Sequence, residues 1–552
     1  MTVISFFGII EWGGIKMKKL PNDADYVYLP RAKTPEEAGL SSAVILAALQ
    51  KLNTSNCNWH SCMIIRNGIV AAECFRFPFA ANQPHCMYSI SKNITGIALG
   101  FAVTEGKLSL DDRVVDWFPE YDFGSDAGKM KNMTVRNLIS MNSGKRPSYL
   151  LNKTDKDWLP HLFDAKWIHE PGEKFEYVNE NSYCVCAILN RVLKQSVVDY
   201  LEERLWQPLG IRTPFWETDH KGIESGGWGI NLSPESMAKI FVCIQNGGVF
   251  NGKQVIPAAW LQEATVSQQK DDIANDTQLQ NGYGYSFWMR DENVYCGEGM
   301  YSQIAAVHRN NGMLVCFTGG ETDNGPIWQA VTDLFTNAIS GNAPDANAQK
   351  ELKDFCNNNP FDTLQDSQIR SPMEKLLDGR NIHFAKHRLI NTIGFPFSVI
   401  PVPATYMTKD RGGNIHTVKF EFLTDCCRFT WHESNCMNTI ECGMDGNYRY
   451  TKGFVCSRPY LFAAAAVWED NYTLKVVIRP MECLASRILV FRFENGTVTM
   501  LPTMYPSVSM MVDNIAGFVR DMAKGQTMKR LADKGLKKLE SIMEPIHFGT
   551  YH

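Results

Sequence analysis

The chain has 552 residues, 44% of them hydrophobic and 21% charged, with a net charge of −4. That composition is expected of a soluble globular chain of two or three domains, and its interspersed charges exclude the basic stripe that nucleic-acid binding needs. No stretch reaches the ~18 uninterrupted apolar residues of a membrane span, so the expected setting is the cytoplasm, with no membrane partner.

Residues 1–10 are apolar, but no basic residue precedes them and Glu11 follows without a small-residue cleavage site. They make a poor signal peptide. Met17 precedes Lys18 and Lys19, which marks residues 1–16 as a mis-assigned start or a short disordered tail. The 16 cysteines include no C-x-x-C pair, and many sit in apolar runs such as Val242-Cys243-Ile244 and Val315-Cys316-Phe317. They read as buried thiols in a reducing compartment, with no zinc site and no other cofactor.

In chain order, residues 41–52 have helical spacing. Two apolar runs, Cys62–Ile65 and Ile69–Cys74, flank Arg66-Asn67-Gly68, a hairpin signal. After Ser89, the residues Ile94, Ile97, Ala98, Phe101 and Ala102 line one helix face, and Gly106 is a natural stop. A helical, loop-rich stretch runs to about residue 270. Then Gln303–His308 and Met313–Phe317 flank a second hairpin at Asn310-Asn311-Gly312, and a helix starts at Pro326. Strands from both ends of this region must share one sheet, so the fold class is an α/β (α+β) sandwich with an antiparallel sheet and a helical subdomain.

Residues 343–382 are polar and read as a linker. Residues 383–552 alternate as short strands, among them Thr417–Leu423, Leu474–Ile478 and Ile488–Phe493, with turns at Asp445-Gly446 and Asn495-Gly496. They predict a C-terminal all-β domain, an antiparallel sheet or small barrel. It ends in a basic helix near 526–543 whose Lys529, Arg530, Lys534, Lys537 and Lys538 read as a solvated face. The expected division is thus 1–34 lead-in, 35–342 first domain, 343–382 linker and 383–552 second domain.

The chemistry rests on Ser-x-x-Lys, which puts a hydroxyl and an amine on one side of a helix. Burial lowers a lysine pKa and makes it a proton acceptor. Three such spacings occur, Ser89–Lys92, Ser236–Lys239 and Ser267–Lys270, about the number chance predicts at ordinary composition. Only Ser89 follows a hairpin and opens a strongly apolar helix. Ser236 lies in a helix-start segment best capped by Ser233, and Ser267 lies in a polar stretch. Tyr177-Val178-Asn179 is the one Tyr-x-Asn, following a Pro171-Gly172 turn and preceding an apolar helix. A phenol near an ammonium ionises more easily and can shuttle the serine proton. Asn179 can donate an amide to substrate.

Tyr88-Ser89-Ile90-Ser91-Lys92 with Tyr177-Val178-Asn179 resembles the class C β-lactamase and penicillin-binding-protein-related serine hydrolases. The stretches 105–112, 133–144, 205–210 and 246–248 are similar to that family as well, so the resemblance runs from about residue 35 to 340. It implies Ser89 as nucleophile, Lys92 and Tyr177 as proton acceptors, and an oxyanion hole formed by the N–H groups of Ser89 and Met300. The family's third motif, Lys-Thr-Gly or His-x-Gly, corresponds to Gly297-Glu298-Gly299. Gly299 keeps the glycine, but Gly297 stands where a cation is usual. That departure argues against β-lactam substrates and for a neutral ester or amide. Glu298 joins the substrate-side set as a group for a cationic substituent, or else faces outward.

The resemblance therefore implies a serine hydrolase, an esterase or amidase acting through an acyl-enzyme on a small or peptide-like substrate. The alternatives are a D-Ala carboxypeptidase or β-lactamase, and an inactive binding protein on the same fold. No metal is implied: His432-Glu433 lacks the second histidine of H-E-x-x-H.

Overall fold

The computed structural model describes residues 27–147, 157–268, 281–339, 344–360, 370–385, 415–433, 436–455, 458–507 and 544–551. The N-terminal segment 1–26, Lys270 and the basic stretch 526–543 lie outside the described residues.

Helix α1 (Ser42–Thr54) starts at Ser41, whose hydroxyl accepts from the Val44 N–H. Strands β1 (Trp59–Arg66) and β2 (Ile69–Phe75) form the first hairpin. Its turn residues Asn67 and Gly68 both have positive φ, the conformation that makes Asn-Gly a hairpin signal. Strand β3 (His85–Cys86) leads into α2 (Ile90–Thr104). The helical region holds α3 (Ala127–Met130), α4 (Val135–Ile139), α5 (Pro160–Phe163), α6 (Asn179–Leu193) and α7 (Val197–Tyr200). It continues with β4 (Asn231–Leu232), α8 (Pro234–Gln245), a small hairpin of β5 (Val249–Phe250) and β6 (Lys253–Gln254), and α9 (Ala258–Ala264). The chain returns to the sheet through β7 (Trp288–Met289), β8 (Val294–Gly299), β9 (Gln303–His308) and β10 (Met313–Gly319), followed by α10 (Gly325–Asn337).

The sheet order is β2-β1-β10-β9-β8-β7, and every pairing is antiparallel. Both of its faces are covered. Met63 and Ile65 of β1 pack with α2 and α8, whereas Cys62 and Ile64 pack with α1 and α10. A sheet buried on both sides needs apolar residues at successive positions, which explains the unbroken Cys62–Ile65 run. Helix α2 is buried from Ile90 to Ala102. A side chain at Gly100 would collide with the Trp260 ring, so this glycine lets α2 and α9 pack closely.

The stretch read as a linker contains real structure. Helix α11 (Ala346–Asn357) is capped by Asp345 and buries Ala348 and Leu352. Leu352 joins the α1 core. Asn, Asp and Gln on its solvent side masked a short apolar stripe at 348, 352 and 355.

After α12 (Met373–Leu377) come β11 (Asn381–Phe384), β12 (Ile415–Phe422), β13 (Cys426–Glu433), β14 (Cys436–Gly443) and β15 (Arg449–Val455). The set ends with β16 (Arg458–Trp468), β17 (Thr473–Pro480), β18 (Ser486–Glu494), β19 (Thr497–Tyr505) and β20 (His547–Tyr551). Their order is β14-β13-β12-β11-β20-β19-β18-β17-β16-β15, and β14 also pairs with β16 at Gly443–Ala465. That contact closes the sheet into a barrel filled by rings such as Phe420, Phe429, Trp431, Phe462 and Phe491. Closure removes free sheet edges. Among the described residues no helix is long and apolar enough to cross a membrane.

Candidate active site

Ser89 occupies the N-cap position of α2. Tyr88 before it has φ +46°, a left-handed conformation that a bulky residue holds only when its surroundings over-determine it. The surroundings do so. Met87 N–H donates to Ile230 O at 2.9 Å, and Ser91 Oγ donates to Tyr88 O at 2.6 Å while accepting from Ile230 N–H at 3.2 Å. The Tyr88 ring packs edge-on against Tyr301, centroids 5.3 Å apart.

One turn into α2, Lys92 is 1% exposed. Its Nζ lies 2.7 Å from Asn179 Oδ1, 2.7 Å from Gly227 O and 3.0 Å from Ser89 Oγ. Two of these partners only accept, so they take two N–H groups. When Lys92 is neutral, its lone pair is left for the Ser89 hydroxyl. Burial pushes the ammonium down to about 7, and the charge of the neighbouring Glu180 acts the other way. Neutral amine is therefore plentiful near physiological pH.

Tyr177 lies against the same lysine. Burial raises its phenol above the usual tyrosine range, opposed by a hydrogen bond with Ser89. Lys92 Nζ faces the ring, 4.6 Å from its centroid. Burial thus acts oppositely on the two groups, favouring the neutral amine of Lys92 and the neutral phenol of Tyr177. Tyr177 stacks on Trp288, 5.3 Å between centroids, and Phe175 and Tyr283 complete an aromatic wall.

Gly299 ends β8 beside the nucleophile. A Cβ there would collide with Met87 O and lie 3.2 Å from Ser89 N. Only glycine lets this backbone approach so closely. The next residues, Met300, Tyr301 and Ser302, turn back into β9, with Tyr301 and Ser302 at φ +63° and +69°. Gln303 Nε2 fixes that turn by donating to Tyr301 O and Gly319 O, each at 2.8 Å.

Glu298 does not belong with the substrate-side set. Strand alternation places it opposite Gly297 and Gly299. It pairs there with Arg290 and accepts from Asn324 Nδ2 at 2.8 Å and Trp328 Nε1 at 3.3 Å. Asn324 Oδ1 accepts from Ser302 Oγ at 2.6 Å, so Glu298 props the Met300–Ser302 turn from behind. At Gly297 a Cβ would come within 2.5 Å of both Asn93 Oδ1 and Phe241 Cζ. The space that a side chain would need is filled.

The other serines are placed otherwise. Ser236 N–H donates to Ser233 Oγ at 3.1 Å inside α8, and Lys239 Nζ donates to Gly210 O at 3.0 Å. Ser267 is described, but Lys270 is not. Sequence reasoning missed Gly227, whose carbonyl holds Lys92. The glycine-rich run Ser225-Gly226-Gly227-Trp228-Gly229 was the available signal: side chains at 226 and 227 would meet Ser182, Asn179 and Lys92.

Residues 61–325 match the Beta-lactamase family model. They are a β-lactamase-family domain. Protein flp from Staphylococcus aureus (strain MW2) is 29% identical over 150 residues, 25% of this chain and 30% of that protein. The 6-aminohexanoate-dimer hydrolase of Paenarthrobacter ureafaciens is 21% identical over 231 residues, 39% of this chain and 59% of that protein. The chain therefore spans less than two thirds of the length of either relative. Among solved structures, the octameric penicillin-binding protein homologue from Pyrococcus abyssi aligns with TM-score 0.42 and 14% identity, covering 83% of this chain and 97% of that one. A penicillin binding protein from Bacillus halodurans aligns with TM-score 0.43 and 16% identity, covering 52% and 100%. Within the β-lactamase-family domain of this chain, Ser89, Lys92, Tyr177 and Asn179 converge on one site at the N-terminal ends of α2 and α6.

Proposed function

We propose that this domain is a serine hydrolase that cleaves an uncharged ester or amide through an acyl-enzyme on Ser89. The observation that carries the reading is the arrangement around Lys92 Nζ, held by Asn179 Oδ1 and Gly227 O with its third direction on Ser89 Oγ.

Ser89 Oγ attacks the substrate carbonyl, and its proton passes to neutral Lys92. The developing oxyanion is met by the N–H groups of Ser89 and Met300; donors of this kind are each worth ~3 kcal/mol in the transition state. The leaving group departs with a proton from the Tyr177 hydroxyl. The proton held on Lys92 then restores the Tyr177 hydroxyl, water gives a proton to neutral Lys92 as it attacks the acyl carbon, and Ser89 leaves with that proton returned to its oxygen. With its oxygen on Lys92, Asn179 has its amide nitrogen for the substrate. The filled space at Gly297 and the wall of Phe175, Tyr177, Tyr283 and Trp288 favour a substrate without a carboxylate at that position.

The test is turnover of p-nitrophenyl acetate with mass spectrometry of the tryptic peptide that runs from Phe77 to Lys92. Turnover with an acetyl group trapped on Ser89, and no adduct from benzylpenicillin, is expected. A penicilloyl adduct on Ser89 would turn the reading toward a penicillin-binding carboxypeptidase or β-lactamase. A folded chain that accepts neither would be a binding protein.

The pH dependence follows from Lys92. Its neutral form is the base, so kcat/KM should rise about tenfold per pH unit below 7 and level off above. A profile from pH 5 to 9 checks this; a tenfold rise per unit that continues to pH 9 without levelling would mean that Lys92 titrates as an ordinary lysine.

A further inference from the structure

The C-terminal barrel touches the strand that leads to the nucleophile. Between β17 and β18, Met481, Cys483, Leu484 and Ala485 are all buried, with Cys483 in the barrel core. Met481 packs with Phe79, Tyr448, Ala463 and Ala465.

The turning point is Glu482. The β16–β17 ladder runs on through Met481 N–H, which donates to Leu461 O at 2.9 Å. The reciprocal donor, Leu461 N–H, does not meet a main-chain carbonyl. It is accepted by the Glu482 carboxylate, at 3.1 Å to both oxygens. The Glu482 carboxylate thus takes the place that the Met481 carbonyl would hold in the ladder, and the Glu482 carbonyl turns toward the first domain. It accepts from Cys86 N–H at 2.9 Å.

Cys86 lies in β3, three residues before Ser89. On its other edge β3 pairs with β4, and Met87 N–H donates to Ile230 O. Strand β3 is therefore held from both sides, by the helical subdomain and by the barrel. The strained Tyr88 follows directly. The same barrel loop reaches the end of β10, where a Cβ on Gly320 would lie 2.8 Å from Leu484 O. Gly319 next to it is tied through Gln303 to the Met300–Ser302 turn.

We propose that Glu482 is a positioning residue for Ser89, its carboxylate gripping barrel strand β16 while its carbonyl grips the strand leading to the nucleophile. This rests on the serine hydrolase reading. The barrel is then a working part of the active site, because a nucleophile held through a strained residue loses alignment when one edge of its strand is released. Displacements well under 1 Å already cost rate.

The test compares full-length wild type, Glu482→Ala and Glu482→Gln, each normalised by fluorophosphonate titration of labelled serine so that misfolded chains do not count. Glu482→Ala should lower kcat about tenfold per titrated site, with KM and the pH profile unchanged. Glu482→Gln keeps an acceptor oxygen for Leu461 N–H and should restore most of the rate. Hydrogen exchange of the peptide spanning 85–91 should be faster in Glu482→Ala than in wild type. Equal kcat per site and equal exchange in Glu482→Ala would overturn the proposal, whatever its melting temperature. A wild-type chain never labelled at Ser89 would sink the hydrolase reading instead. The exchange comparison then decides alone whether Glu482 holds the strand.

Discussion

Ser89→Ala and Lys92→Met are each expected to lower kcat/KM for p-nitrophenyl acetate by about 10⁴-fold or more, and the double variant should be no worse than either single one. Groups that act as one unit show this non-additivity: once the nucleophile is gone, the base has no proton to take. The geometry argues for such a unit, because Lys92 Nζ is 3.0 Å from Ser89 Oγ and its other two partners are fixed acceptors. Lys92→Met fills a similar volume without burying an unpaired charge, so the fold should survive. Steady-state kinetics on the four proteins of the cycle, with circular dichroism as a folding check, gives the answer. If the two single losses multiplied in the double variant, Ser89 and Lys92 would be acting independently and the mechanism above would be wrong.

Gly299→Ala is expected to lower kcat about 10²–10³-fold, the range lost on removing an oxyanion donor. The added methyl would collide with Met87 O and press on Gln303 Cβ at 3.0 Å and Ser89 N at 3.2 Å. It has to push the end of β8 away from Ser89, and Met300 moves with it. Gly128→Ala is the control, since a Cβ there meets nothing within 4 Å. Turnover and thermal melting measured on both variants separate lost alignment from lost folding. A Gly299→Ala protein of normal kcat would mean that the β8 end does not form the oxyanion hole.

The local elements were legible because their causes are local. Asn67-Gly68 and Asn311-Gly312 demand turns whatever surrounds them, and the run from Ile94 to Ala102 makes a helix that must be buried. The barrel strands announced themselves by alternation, as in β18, where Leu489, Phe491 and Phe493 face the core. Helix α11 was misread because only its narrow inner stripe is apolar, and it takes the α1 surface to give that stripe a partner.

Sequence alone determined which residue types were available: a serine and a lysine one turn apart, a Tyr-x-Asn, and a glycine where backbone must approach backbone. Three Ser-x-x-Lys spacings satisfied the same pattern. Only the tertiary structure set Lys92 against Asn179, 87 positions away, and Gly227, 135 away, while giving Lys239 to Gly210. It likewise put Glu298 behind the turn instead of in front of substrate, raised the Tyr177 phenol by burial, and laid Glu482 against Cys86. The physical reason is common to all of these. Spacing specifies what one helix or strand can present, but desolvation, lysine basicity and the far end of a hydrogen bond depend on which distant segment packs there.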